Sequence, residues 1–260
     1  MLTDARHTLR LFAIGWTLAR YDALFPLEAL GVSPALLGLC RLARRRVKQR
    51  PGVRLALALQ ALGPTAIKLG QALSTRADLI GEDVAADLSV LQDRLPPFAT
   101  SIARATVEEQ LGAPIASLFS SFEDESVAAA SIAQVHFATT TDGREVAVKI
   151  LRPHIEAEFA RDTELLRWLA EIAFRRLPHY RRLKPLEMVE TFARTISIEL
   201  DLRLEAAAAE ELKANTRDDP DFYVPAVDWG AHRAPRAYHR ARARLLHFRF
   251  RRHRESRPRP

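Results

Sequence analysis

Two short runs rich in β-branched and apolar residues, Val135–Thr141 and Arg144–Leu151, flank Asp142-Gly143 in a sequence that otherwise reads as helix. Strand, tight turn and antiparallel strand is the arrangement this pattern dictates, with Asp-Gly as a two-residue turn. Alternation then puts Val146, Val148 and Ile150 on one face and Ala147 and Lys149 on the other. A lysine in an apolar strand is costly to bury alone. Lys149 therefore requires a phosphate, a carboxylate or a route to solvent, and a sheet-edge lysine reaching water remains open at this point.

The 260 residues, 48% of them apolar, suffice for one large domain or two ordinary ones. A single cysteine, Cys40, excludes an internal disulfide. No apolar run reaches the roughly 18 residues of a membrane-spanning helix, since Ala23–Cys40 is broken by Pro26, Glu28 and Pro34. Leu11–Ala19 could pass for a signal-peptide core, but Asp4 precedes it and no clean cleavage site follows. The expected location is cytoplasmic, with a peripheral place at the inner membrane face as an extension of it. The net charge of +7 is uneven: Gly230–Pro260 carries 11 Arg, no Lys and one acid, Glu255, leaving residues 1–229 at a net −3. The body of the chain is mildly acidic and no specific nucleic-acid partner is expected.

Residues 1–60 read as a helical region, with Leu9, Phe12, Ala13, Trp16 and Ala19 at helical spacing. Arg41–Arg50 has six cations in ten residues and reads either as a solvated helix face or as a surface for anionic lipid. Residues 61–125 form a second helical region. A helix starts at Pro64 and buries Ala66, Leu69 and Leu73, while Lys68, Gln71 and Thr75 line another face. Ser101–Leu111 is helical and Gly112 stops it. Beyond Pro153, Glu158–Arg176 and Leu186–Asn215 read as two helices, the second with Leu186, Val189, Phe192, Ile196 and Leu200 on one face. Phe222–Trp229 reads as the start of a third strand. His136 reads as a packed or surface strand histidine, and His232, His239, His247 and His253 lack metal-site spacing.

A strand lysine held between nucleotide phosphates and a helix carboxylate is the protein-kinase arrangement. Kinases cover the phosphates with a glycine-rich loop; here that position holds Ala128-Ala129-Ala130-Ser131-Ile132-Ala133. The combination resembles the UbiB family of atypical kinase-like proteins, which support ubiquinone biosynthesis. The family's alanine-rich loop matches AAASIAQVH and its strand lysine matches Lys149. Its K-x-G-Q signature matches Lys68, Gly70 and Gln71, and its L-Q-D-x-x-P-P-F run matches Leu91–Phe98. Its E-x-D pair matches Glu199 and Asp201, and the lysine's glutamate partner falls on Glu205.

The resemblance implies ATP or ADP with Mg²⁺ as cofactor. Lys149 would contact phosphates and pair with Glu205, beside Ala147; Ala128, Ala129, Ala130 and Ser131 would cover the phosphates with less backbone freedom than glycine gives. Lys68, Gly70 and Gln71 would lie on a helix across the substrate cleft, faced by Glu199 and Asp201. Small-molecule phosphorylation, or ATP hydrolysis coupled to lipid handling, is the implied activity, with quinone-pathway lipids and proteins as partners.

Phosphoryl transfer also needs an aspartate that orients the attacking group and side chains that hold Mg²⁺. No H-x-D…N loop and no Asp-Phe-Gly occurs in these 260 residues, and Asp221-Phe222-Tyr223 precedes a small-lobe strand. The expected fold is α+β: a helical N-terminal extension and an incomplete kinase-like small lobe over 126–229, without the large lobe. Such a sheet would expose an unpaired edge. Residues 230–260 read as a disordered, frameshifted tail. Back-translated degenerately and shifted by one base, Ala231–Ala241 can spell Arg-Thr-Ala-Arg-Arg-Val-Leu-Thr-Ile-Glu, which resembles a family strand. The first functional expectation is thus a truncated UbiB-like kinase or ATPase lacking its catalytic groups. The alternatives are a nucleotide-binding pseudokinase and a basic-tailed module for RNA or anionic membrane.

Overall fold

The structure, a computed structural model, describes residues 2–45, 47–91, 95–219, 222–228 and 245–249. In chain order the elements are α1 (Leu2–Arg20), α2 (Phe25–Ala29), α3 (Pro34–Arg41), α4 (Pro51–Leu62), α5 (Pro64–Ser74), α6 (Ala77–Ile80), α7 (Glu82–Leu88), α8 (Thr100–Leu111) and α9 (Ile115–Leu118). Then follow β1 (Phe119–Phe122), β2 (Ala128–Ala129), β3 (Ala133–Thr140), β4 (Glu145–Leu151), α10 (Ile155–Arg176), α11 (Pro185–Glu199), α12 (Leu202–Asn215) and β5 (Leu245–Arg249). The fold is α+β, many helices with one small antiparallel sheet. Two compact units divide it: Met1–Leu95 with His154–Ile196, and Pro96–Pro153 with Ser197–Pro260.

The first unit is helical. Proline opens α3, α4 and α5, where its missing N–H costs nothing and its φ is already helical. The core gathers Leu11, Leu18, Leu27, Leu37, Leu55, Leu59, Leu88 and Leu91, with Trp168 of α10 half-buried against it. On α5 the buried positions are Thr65, Ile67 and Gly70, whereas Ala66, Leu69 and Leu73 are only half-buried. Gly70 faces the core because a Cβ there would lie 2.4 Å from Leu91 Cδ1 and 2.7 Å from Leu59 Cδ1. Asp22, at a left-handed φ of 55°, joins the α1–α2 turn to α4 through an ion pair with Arg54. Arg44 hydrogen-bonds the same carboxylate at 2.5 Å and holds it below the usual carboxylate range.

The second unit is built on the sheet, ordered β1-β3-β4-β5 with β2 also paired to β3. The β3–β4 turn differs from the two-residue expectation. Gly143 N donates to Thr140 O and Thr140 N to Arg144 O, both at 2.9 Å, so Thr141–Gly143 form a three-residue loop with Gly143 at φ 85°. A left-handed third residue is what such loops need. The resulting register sets Val135 against Lys149 and Ala138 against Val146. Val146, Val148 and Ile150 are buried beside Ala103 and Val107 of α8 and Ile115, Phe119 and Phe122. Ala147 and Lys149 take the other, half-buried face, as alternation requires.

Three further expectations are corrected. Leu186–Asn215 is two helices, α11 and α12, because the Asp201 side chain accepts from Arg203 N and caps a new helix. Leu186 is exposed, and burial on α11 sets in at Ile196. Phe222–Asp228 is not an extended strand and contributes a single bridge at Val227, while Trp229 lies outside the described residues. The free edge of β4 is covered: Leu245–Arg249 of the arginine-rich segment runs antiparallel to it, with Leu246 opposite Lys149. The rest of 229–260 lies outside the described residues.

Candidate functional site

Lys149 sits on β4 with its Nζ donating to both oxygens of Glu205 on α12, at 2.8 and 2.7 Å. Both side chains keep part of their surface, 25% for Lys149 and 41% for Glu205. Solvent therefore reaches the pair, and its desolvation penalty is modest. An ammonium has three donors. Two serve Glu205, and the third is directed at neither of its oxygens. Such a group is poised for an anion while a carboxylate holds it in place.

The alanine segment lies in the same unit. Ala128 and Ala129 form β2 opposite Val135 and Gln134, and Ala130 N donates to Ala133 O at 2.8 Å to close the turn. Ser131 is buried. Arg152 grips this turn: Nε and Nη2 donate to Ala130 O at 3.2 and 2.9 Å, and its amide donates to Ile132 O at 2.8 Å. The same Nη2 reaches Pro96 O at 2.9 Å, and the guanidinium lies 5.7 Å from the Phe98 ring centroid.

Beneath the turn is a buried polar chain that periodicity does not reveal. Gln134 Oε1 accepts from Phe98 N at 2.9 Å, which fixes the amide orientation, because an N–H can only donate. Its Nε2 then donates to His136 Nε2 at 2.8 Å, so the proton sits on Nδ1, which donates to Glu123 O at 2.8 Å. His136 is wholly buried and stacked on Phe122 at 5.1 Å, a packed histidine as its strand position suggests.

The remaining residues of interest stand as follows. In the helical unit, Gln71 Nε2 donates to Leu91 O at 3.1 Å, so Gly70 and Gln71 both fasten α5 to the residue that opens the Leu91–Phe98 run. Residues 92–94 of that run lie outside the described residues. Lys68 is half-buried on α5. In the sheet unit, Glu199 ends α11 and Asp201 caps α12, where it pairs with Arg203 at 2.7 Å and raises that guanidinium's pKa. The basic stretch 41–50 joins α3 to α4 instead of forming a helix face. Three of its six cations are paired, Arg41 with Glu28 at 2.8 Å, Arg44 with Asp22 and Arg50 with Asp87. Those pairs reduce the charge that the stretch could offer to a lipid headgroup.

This frame is matched by known proteins. The ABC1 atypical kinase-like domain aligns with residues 90–234. The chain belongs to the ABC1 atypical kinase-like family. Its curated relatives include probable protein kinases UbiB. That of Marinobacter nauticus is 42% identical over 226 residues, covering 85% of this chain and 41% of the relative. That of Pseudomonas aeruginosa is 48% identical over 188 residues, 72% of this chain and 35% of the relative. That of Aeromonas salmonicida is 45% identical over 196 residues, 72% and 36%. The chain thus spans 35–41% of the length of these relatives. Among solved structures, the Rv3197–erythromycin complex from Mycobacterium tuberculosis aligns with 75% of this chain and 42% of that one, at 27% identity and a TM-score of 0.48.

The family implies nucleotide with a divalent metal. Lys149, with a quarter of its side chain exposed, fits an anionic phosphate. The metal is a different matter: among the described residues no group of three or more His, Cys, Asp or Glu could hold an ion. Glu205 has both oxygens turned to Lys149. The described residues do not fit Mg²⁺. No helix among the described residues is long and apolar enough to cross a membrane.

Proposed function

We propose that these 260 residues are the nucleotide-holding part of a UbiB-like atypical kinase or ATPase of ubiquinone biosynthesis, binding ATP or ADP without turning it over by themselves. The bidentate Lys149–Glu205 pair carries this reading, because it holds an ammonium on a rigid strand with donor capacity to spare. In the proposed complex Lys149 donates to a phosphate oxygen, Glu205 keeps the ammonium aimed, and Ala128–Ser131 cover the phosphates. Lys68, Gly70 and Gln71 are proposed to restrict access of substrate, and Glu199 and Asp201 are proposed as regulatory acids. The proposed lack of turnover rests on the sequence, in which no H-x-D…N loop and no Asp-Phe-Gly occurs among these 260 residues. Membrane-surface and quinone-lipid partners belong to the whole protein under this proposal. Gly230–Pro260 is proposed to be read out of frame, and resequencing the DNA past codon 220 decides it.

Binding of a fluorescent ADP analogue tests the reading. The unmodified chain should bind, and Lys149→Ala should weaken binding by about 10–100-fold, the worth of a charge-assisted hydrogen bond. No binding by the unmodified chain, or equal binding by Lys149→Ala, rejects it. ATP hydrolysis by the unmodified chain that is lost in Lys149→Ala would reject the inactive part alone.

A further inference from the structure

The alanine segment is held more firmly than a phosphate-covering flap needs to be. Its turn is closed by its own hydrogen bond; the Arg152 guanidinium then adds two contacts to Ala130 O, and the Arg152 backbone amide donates to Ile132 O. The Nη2 that serves Ala130 O also donates to Pro96 O, and the guanidinium lies over the Phe98 ring. From the opposite flank, Gln134 takes Phe98 N at 2.9 Å and approaches Phe98 O at 3.3 Å. Pro96–Phe98 is therefore clamped between the residue that follows β4 and the second residue of β3, and the alanine turn hangs on that clamp.

We infer that Arg152 is a positioning residue for the nucleotide: it ties Ala128–Ala133 to Pro96–Phe98 and makes the segment a fixed wall of the site. The inference rests on the nucleotide reading above. Arg152 itself touches no nucleotide in this account; it acts through the Ala130 carbonyl. The guanidinium is required for its shape. A planar fork serves two carbonyls from one plane and stacks on an aromatic face, which a lysine ammonium cannot do. A wall set in place before binding spares the ordering cost that a flexible loop would incur, and the benefit appears as slower ligand release.

The test is Arg152→Lys in the full 260-residue chain, with Arg152→Gln as a second variant, read by amide hydrogen exchange and by release of a fluorescent ADP analogue. Charge is conserved in the lysine variant and the fork is lost. Exchange at Ala128–Ala133 should quicken by about tenfold or more, with α8 amides within about twofold of the unmodified chain. Analogue dissociation should quicken by about tenfold, with association nearly unchanged. Unchanged exchange at Ala128–Ala133 overturns the inference. So does an equal rise across α8 and β4, which would mark Arg152 as a general stabiliser. Unchanged dissociation despite a loosened turn overturns the positioning role. If the unmodified chain binds no analogue, the nucleotide reading fails; local exchange then decides on its own whether Arg152 holds the turn.

Discussion

Replacing Gln134 by leucine isolates the buried polar chain under the alanine turn. The side chain is 1% exposed and of similar volume to leucine, so shape changes little and chemistry changes much. Two groups lose their shortest partners, Phe98 N, now 2.9 Å from Gln134 Oε1, and His136 Nε2, now 2.8 Å from Gln134 Nε2, and Phe98 O loses its longer contact of 3.3 Å with the same Nε2. Each unsatisfied buried group costs about 1–3 kcal/mol. The apolar side chain returns about 1 kcal/mol of that through burial. The net expectation is a loss of about 1–5 kcal/mol, a large share of the roughly 5–15 kcal/mol that holds a domain together. Trp16 and Trp168 belong to the helical unit, so their fluorescence is the wrong probe. Native-state hydrogen exchange at β3 and β4 amides reads the sheet unit directly. A loss under about 1 kcal/mol would refute the polar chain as drawn. A cycle with His136→Phe sharpens the case. Removing both partners leaves fewer orphans than the two single changes together, so the double variant should be about 1–2 kcal/mol more stable than additivity gives. Strict additivity would mean that Gln134 and His136 do not interact.

Gly70→Ala should lower the stability of the helical unit by up to about 2 kcal/mol, measured by tryptophan fluorescence on unfolding. Alanine gains about 1 kcal/mol of helix propensity, but overpacking against Leu59 and Leu91 costs about 1–3 kcal/mol; a raised midpoint would show that the leucine tips have room to move. Asp22 supplies a pH dependence. Hydrogen bonding by Arg44 holds its pKa down, so its stabilisation is complete above the ordinary carboxylate value of about 4 and is lost as pH falls through the depressed value. Asp22→Asn should flatten that acid limb of the unfolding curve, and coincident limbs would remove Asp22 as its source.

What could be read in advance follows from how each feature is encoded. The inward face of β4 needs only alternation, and Val146, Val148 and Ile150 are buried accordingly. The pairing of Lys149 with Glu205 spans 56 residues and became legible through family motifs, since no local periodicity links a strand to a distant helix. Gln134 and His136 are polar residues on the buried face of β3, opposite Ile150 and Val148. Alternation identifies their face and says nothing of their partners, one of which is the backbone of Phe98. The break between α11 and α12 had a visible cue, Asp201 as a helix cap, that the unbroken apolar spacing across it obscured. Arg152 has no local sequence signal, because its role depends on backbone carbonyls at Pro96 and Ala130. The strand Leu245–Arg249 is five residues long, and its pairing with β4 is non-local.

These features converge on the register of a single strand. Side chains on a strand alternate, so a slip of one residue on β4 would turn Lys149 into the apolar layer of Val148 and Ile150 and bring a valine or isoleucine to face α12. Burying that ammonium without its carboxylate would cost far more than any contact in the hairpin returns. The register is therefore specified from several directions. Gly143 sets the loop length through its left-handed φ, and the Thr140–Arg144 hydrogen bond closes it. Gln134 and His136 anchor β3 to Phe98 and Glu123, fixing the strand against which β4 is measured. Arg152 stops β4 one residue past its end by holding Ile132 O and Ala130 O. The polar groups beneath the alanine turn thus act on Lys149 without touching it: they decide which face of the sheet it occupies, and so whether it meets Glu205 at all.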